Sequence, residues 1–156
     1  MPDYEIVKYP NPVLKIKTSN IEHIDDSIRS LLIDMVSVMH KNSGIGLAAP
    51  QIGISLRLCV VNAGDGILKM VNPEIIDKTG YHSMEEGCLS CSTKTVAVKR
   101  ADQIKVRYLD ENSNKVVKTC TGLLAKAIQH EVDHLNGRII LDYMPIYKKF
   151  LLNIKK

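Results

Sequence analysis

Apolar residues recur at three- and four-residue intervals in two long stretches of the chain. In the first, Ile28, Leu31, Leu32, Met35, Val36 and Met39 form one stripe, which predicts a helix over 25–41 with Asp25 or Asp26 as its cap. The second predicts a helix from Thr121 to Asn136, with Gly137 placed to end it. Between them the pattern shortens. An apolar run from Leu56 to Asn62 reads as a buried strand, and further strands are expected around Leu68–Val71, Glu74–Lys78 and Thr95–Lys99. Gln103–Leu109 and Lys115–Thr119 alternate on either side of Asp-Glu-Asn-Ser-Asn, which predicts a hairpin. Helix, several short strands and helix together indicate an α+β fold. With no repeat or linker in view, residues 1–156 read as a single domain.

Composition narrows the class. The chain is 45% hydrophobic and 24% charged, enough apolar material to offset the ordering entropy that keeps polar chains disordered. Its apolar runs are too short to span a bilayer, and the charged N-terminus has no apolar core of a secretory signal. A cytoplasmic address is therefore expected, with no membrane partner. The net charge of +4 is too small to announce a DNA-binding protein. Four cysteines, Cys59, Cys88, Cys91 and Cys120, read as thiols or metal ligands before disulfides.

The charge is unevenly placed. Of 21 basic residues, Lys148, Lys149, Lys155 and Lys156 lie in the last twelve positions, leaving 17 to balance 17 acids elsewhere. Pro145 suits a first helical turn, and Tyr147, Phe150, Leu151 and Ile154 follow as an apolar stripe, so 145–156 reads as a short basic C-terminal helix. Two expectations follow: a helix docked on the core with a solvated basic face, or a surface that meets RNA phosphates.

Three stretches carry chemistry. His130-Glu131-Val132-Asp133-His134 sets two imidazoles four residues apart, one turn above each other on one helix face, where both can reach one metal ion. Glu131 stands beside the first of them, placed to accept a proton from water. Leu123, Leu124, Ala127, Ile128 and Leu135 flank the pair and predict a buried helix. Upstream, Glu85-Glu86-Gly87-Cys88-Leu89-Ser90-Cys91 supplies thiolates. Two arrangements stay open on these residues: a closed site with both cysteines, favoured by the Cys-x-x-Cys spacing, or an open one with a single cysteine, favoured by Glu131. The third stretch, Gly44–Gln51, is too poor in side-chain volume for a core element; its glycines suit close approach of a ligand, and Gln51 offers a neutral amide donor.

In this order GIGLAAPQ, EGCLS and QHEVDH resemble the three motifs of the peptide deformylases. The resemblance implies a metal-dependent hydrolase that removes the formyl group from the formyl-methionine of nascent polypeptides, in the bacterial cytoplasm or an organelle. It also implies an α+β fold in which short antiparallel sheets are packed around a central helix carrying the His pair. It implies Cys88, His130 and His134 as metal ligands, Glu131 as general acid/base, and Gln51 with the Leu89 N–H as oxyanion donors. The peptide is expected to lie extended along Gly44, Ile45 and Gly46 and along Glu86 and Gly87. The implied cofactor is one divalent ion, ferrous iron, with zinc, nickel or cobalt able to take the same ligands. The implied partners are the nascent chains and, through the basic tail, the ribosome. The chain departs from the family pattern at Cys91 and Ser92, where an apolar residue and proline are frequent, at Thr95, and at Lys126, where an apolar residue is common. Asp133, outside the ligand register, has two readings: a helix anchor paired with Arg100, or a solvated carboxylate. A zincin-type peptidase fits less well: only 22 residues follow His134, with Asp142 their one carboxylate.

Overall fold

The computed structural model describes residues 2–92 and 94–154. Helix α1 runs from Asp26 to Lys41 and is capped by Asp25, whose carboxylate accepts the Ile28 N–H at 3.0 Å. Helix α2, Gly122–Leu135, ends where Gly137 adopts a left-handed φ of 75°. A Cβ there would lie 2.6 Å from the Lys15 carbonyl oxygen, so this stop requires glycine.

Five antiparallel strands form one sheet in chain order: β1 (Gly46–Ala48), β2 (Leu58–Asn62), β3 (Ile67–Glu86), β4 (Val96–Leu109) and β5 (Lys115–Thr121). The class is α+β, as the hydrophobic pattern indicates. The expected short sheets are joined in it because β3 and β4 are long. Leu68–Val71 and Glu74–Lys78 belong to the same strand, interrupted by register shifts at Val71/Glu74 and Ile75/Asp77, and β3 continues to Glu86. Likewise Thr95–Lys99 and Gln103–Leu109 fall along the single strand β4, and the predicted hairpin is the β4–β5 pair.

The stretch Gly44–Gln51 corrects the expectation of a non-core loop. Gly46–Ala48 is a strand paired with Cys59–Val61, and Leu47, Ala48 and Ala49 are fully buried. Its small residues let helices close over both faces. Leu47, Leu58 and Val60 pack with Leu32, Met35 and Met39 of α1, while Ala48, Cys59 and Val61 pack with Ile128, Val132 and Leu135 of α2. A third cluster joins Leu14, Val98, Ile140 and Cys91 and supports the turn Leu89–Cys91.

At the C-terminus the helix is shorter than 145–156. It spans Ile146–Leu151, with Pro145 as cap. Tyr147, Phe150 and Leu151 are exposed, so the stripe is not docked on the core; Ile154 alone of the four packs against a buried cluster. Lys155 and Lys156 lie outside the described residues. No helix among the described residues is long and apolar enough to cross a membrane.

Candidate metal centre and active site

Helix α2 presents its C-terminal half to the end of β3, where the chain turns through Gly87 and Cys88. Across this junction Cys88 Sγ lies 3.3 Å from His134 Nε2, which lies 3.2 Å from His130 Nε2. The three ligand atoms all fall within 4.8 Å of one another. Ligands held at about 2.0–2.3 Å in tetrahedral directions around one ion would be spaced by roughly these distances. The donor set, one soft sulfur and two imidazoles, suits a transition-metal dication.

Cys91 is not in this group, which favours the open arrangement over the closed one. Its buried thiol instead hydrogen-bonds Cys88 and is pushed up by that contact, while Cys88 is held well below the usual thiol range. The Cys91 contact is the main cause of the Cys88 shift; the two imidazoles add to it, against the opposing effect of burial. A thiolate is the form in which a cysteine can bind metal.

His130 is oriented from behind. Its Nδ1 meets Glu86 Oε1 at 3.0 Å, leaving Nε2 to face Cys88 and His134. Burial opposes charge on this ring, but the Cys88 sulfur and Glu86 carboxylate outweigh it and raise its pKa to about 10. Burial also disfavours the Glu86 carboxylate; Arg100 and His130 reverse that and hold it at about 2. Arg100, 4% exposed, forks onto Glu86 at 2.8 and 2.9 Å and reaches Asp133 at 2.6 Å. Tyr143 donates to the same Asp133 oxygen at 2.6 Å. Asp133 therefore does pair with Arg100, and the network ties β3, β4 and α2 together beside the Cys88–His130–His134 group.

Glu131 is 4% exposed, and burial pushes its carboxyl above the usual range. Its Oε2 and His134 Nδ1 are buried polar atoms without a hydrogen-bond partner among the described residues. Such orphans call for a ligand, water or ion. The carboxylate fits only because Gly46 has no side chain: a Cβ there would stand 2.4 Å from Glu131 Oε1. Gln51 is 2% exposed; its Oε1 accepts the Ala48 N–H at 2.9 Å, and its Nε2 points toward Cys88 Sγ at 3.6 Å and Ser90 Oγ at 3.4 Å. Leu89 opens the 3-10 turn after Cys88, a position whose N–H has no intrahelical acceptor.

A cavity of about 710 Å³ opens on this group and is lined by Gly44, Ile45, Gly46, Glu86, Gly87, Cys88, Leu89, His130 and Glu131, among others. The residues expected along the extended peptide, Gly44, Ile45, Gly46, Glu86 and Gly87, are all on its wall, whereas Gln51 and His134 are not. Leu123, expected to be buried, is 54% exposed on the same wall. The sequence reading missed the Glu86 side chain as the partner of His130, as well as Tyr143, Met84 and Lys8, which donates to the Leu89 carbonyl oxygen at 2.5 Å. The one available signal was a charged Arg100 within an otherwise alternating strand.

The model of the polypeptide deformylase family matches residues 3–150. The chain belongs to the peptide deformylase family. It is 40% identical to a peptide deformylase of Thermodesulfovibrio yellowstonii, over 97% of this chain and 94% of that one. It is 46% identical to peptide deformylase 1 of Clostridium perfringens, over 84% of this chain and 90% of that one. A peptide deformylase from Ehrlichia chaffeensis, crystallised in complex with actinonin, superposes with a TM-score of 0.92 at 36% identity, covering 97% of this chain and 94% of that one. Peptide deformylases are metalloenzymes that remove the formyl group from polypeptides, and the Cys88–His130–His134 group can serve that chemistry.

Proposed function

We propose that residues 1–156 form one catalytic domain in which this deformylase activity is divided among the residues gathered at the cavity. Its substrates are nascent polypeptides beginning with formyl-methionine, in the bacterial cytoplasm. The observation that carries the reading is the convergence of three ligand atoms beside a buried carboxylate with an unsatisfied oxygen. Cys88, His130 and His134 would hold one divalent ion, ferrous iron, whose Lewis acidity would ease the loss of a proton from the attacking water at neutral pH. Zinc, nickel and cobalt suit the same donors.

Glu131 takes the proton of the attacking water and returns it to the departing amine. Burial favours this role, because a carboxylate lifted above its usual range is a better match for a proton shuttle. Gln51 Nε2 and the Leu89 N–H receive the negative charge that develops on the formyl oxygen, a contribution typically worth about 10²–10³ in rate for one donor. The peptide backbone extends between Gly44–Gly46 and Glu86–Gly87, in the manner of an added strand. Glu86 has a second task through its side chain, which fixes the His130 ring.

Glu131→Gln separates the roles. The variant keeps its metal and folds, yet formate release from a formyl-Met peptide falls to background; turnover near the wild-type rate in metal-loaded Glu131→Gln protein would remove Glu131 from the reaction. The basic C-terminal segment is the proposed ribosome contact, supported by the undocked helix and its lysines. Changing Lys148, Lys149, Lys155 and Lys156 to glutamine should abolish co-sedimentation with ribosomes at low salt. Undiminished co-sedimentation, or none by the wild type, would discard that contact.

A further inference from the structure

One face of α2 lines the cavity at helical spacing: Leu123, Lys126, Ala127 and His130. His130 marks the metal end. Lys126 is four residues earlier, about 6 Å along the helix axis. Ile45 and Met84 contribute apolar surface to the wall with these residues, alongside the charged Lys8, Glu85 and Glu86. The Lys126 ammonium is anchored. It donates to His82 Nε2 at 2.5 Å and to Met84 Sδ. Because His82 accepts at Nε2, its proton sits on Nδ1, which faces the Asp102 carboxylate. The Asp102–His82 pair thus orients Lys126 and partly balances its charge. An ammonium has three donors, and these contacts use two. The third has no partner among the described residues.

Resting on the site reading above, the spacing of cavity-lining positions along α2 bears on what can meet that donor. In a formylated amino acid the position of a methionine sulfur is five bonds from the formyl carbon, on the order of 6 Å when extended. The backbone rise from Lys126 to His130 along α2 is of the same order. We propose that Lys126 is a specificity-determining residue whose free N–H bonds an acceptor at the end of the substrate's first side chain. The pocket therefore takes chains beginning with formyl-methionine sulfoxide as well as formyl-methionine. In a wholly apolar pocket the sulfoxide oxygen would be a buried, unpaired acceptor and would be rejected. Here it replaces solvent with a charge-assisted hydrogen bond.

The test compares kcat/KM for three otherwise identical tripeptides beginning with formyl-Met, formyl-norleucine and formyl-Met sulfoxide. Ratios measured on one preparation cancel differences in active fraction. In the wild type the sulfoxide is turned over within about tenfold of formyl-Met, since its polar oxygen is satisfied. In Lys126→Met, which keeps side-chain length, the sulfoxide-to-norleucine ratio falls on the order of ten- to a hundredfold, the usual worth of a charged hydrogen bond. Lys126→Arg, which restores a donor, recovers most of that ratio. An equal ratio in wild type and Lys126→Met overturns the assignment while leaving the deformylase site intact. A wild type inactive on formyl-Met itself overturns the site reading, and this inference with it.

Discussion

Adding one methyl group at Gly46 should disable the reaction while leaving the fold in place. A Cβ built on Gly46 lies 2.4 Å from Glu131 Oε1, 2.9 Å from its Cδ and 3.0 Å from its Cγ, whereas ordinary contact begins at 3.4 Å. The carboxylate would have to retreat by about 1 Å, and displacement of a reacting group on that scale costs on the order of 10²-fold in rate. The colliding atoms are the flexible end of a side chain, so the fold can absorb Gly46→Ala at about 1–3 kcal/mol, the usual range for overpacking. The expected variant folds, retains its metal and loses about a hundredfold in kcat/KM on a formyl-Met peptide, read by formate release. Glu131→Asp draws the carboxylate back by one methylene. Adding Gly46→Ala to it should then cost much less than the same change in the wild type, the signature of a direct contact. Gly46→Ala protein with full metal and activity within about threefold of wild type would refute the placement of Glu131 against β1 as the catalytic arrangement.

Arg100→Leu leaves the Glu86 and Asp133 carboxylates without their shared cation. Removing one member of such a buried network costs about 3–5 kcal/mol, so melting should fall by roughly 10 °C; a negligible shift would deny the network its structural role. Glu86 is held at about 2, below its ordinary 4.5, so its stabilisation is complete above about pH 4.5 and is lost as pH falls toward 2. Glu86→Gln should lack that acid-sensitive component, and identical pH–stability curves for the two proteins would contradict the pairing. Cys91→Ser should keep one metal per chain, because Cys91 is outside the ligand group; loss of metal in that variant would indicate a fourth ligand.

The parts legible in the sequence were those whose environments differ on two sides. Helix α1 buries Leu32, Met35 and Met39 and exposes its other face, so its period is clear. The β4–β5 hairpin shows itself by alternation and its turn. The full length of β3 stayed hidden because residues from Lys78 to Glu85 are exposed on both faces, and a strand without a buried side has no hydrophobic period. Strand β4 was divided for a different reason. Arg100 and Ala101 are consecutive buried positions, so the alternation changes phase within the strand. That shift belongs to the site: Arg100 is buried because two carboxylates await it. Segment Gly44–Gln51 was legible as chemistry but not as core, since its small residues are matched to neighbours far along the chain, Glu131 above all. The His130–His134 pair was legible because helical spacing alone stacks one ring over the other, whereas the choice of Cys88 over Cys91 stayed open on spacing and came from the family resemblance. The Glu86–His130 contact, which depends on how β3 meets α2, was not.

The central claim, that Cys88, His130 and His134 hold the ion on which deformylation depends, is tested most directly by measuring metal content and formate release together on anaerobically purified protein as a chelator removes the metal and ferrous iron is added back. The account predicts one divalent ion per chain, activity proportional to occupancy in both directions, and no metal retained by Cys88→Ala. Undiminished deformylation by metal-free protein would contradict it.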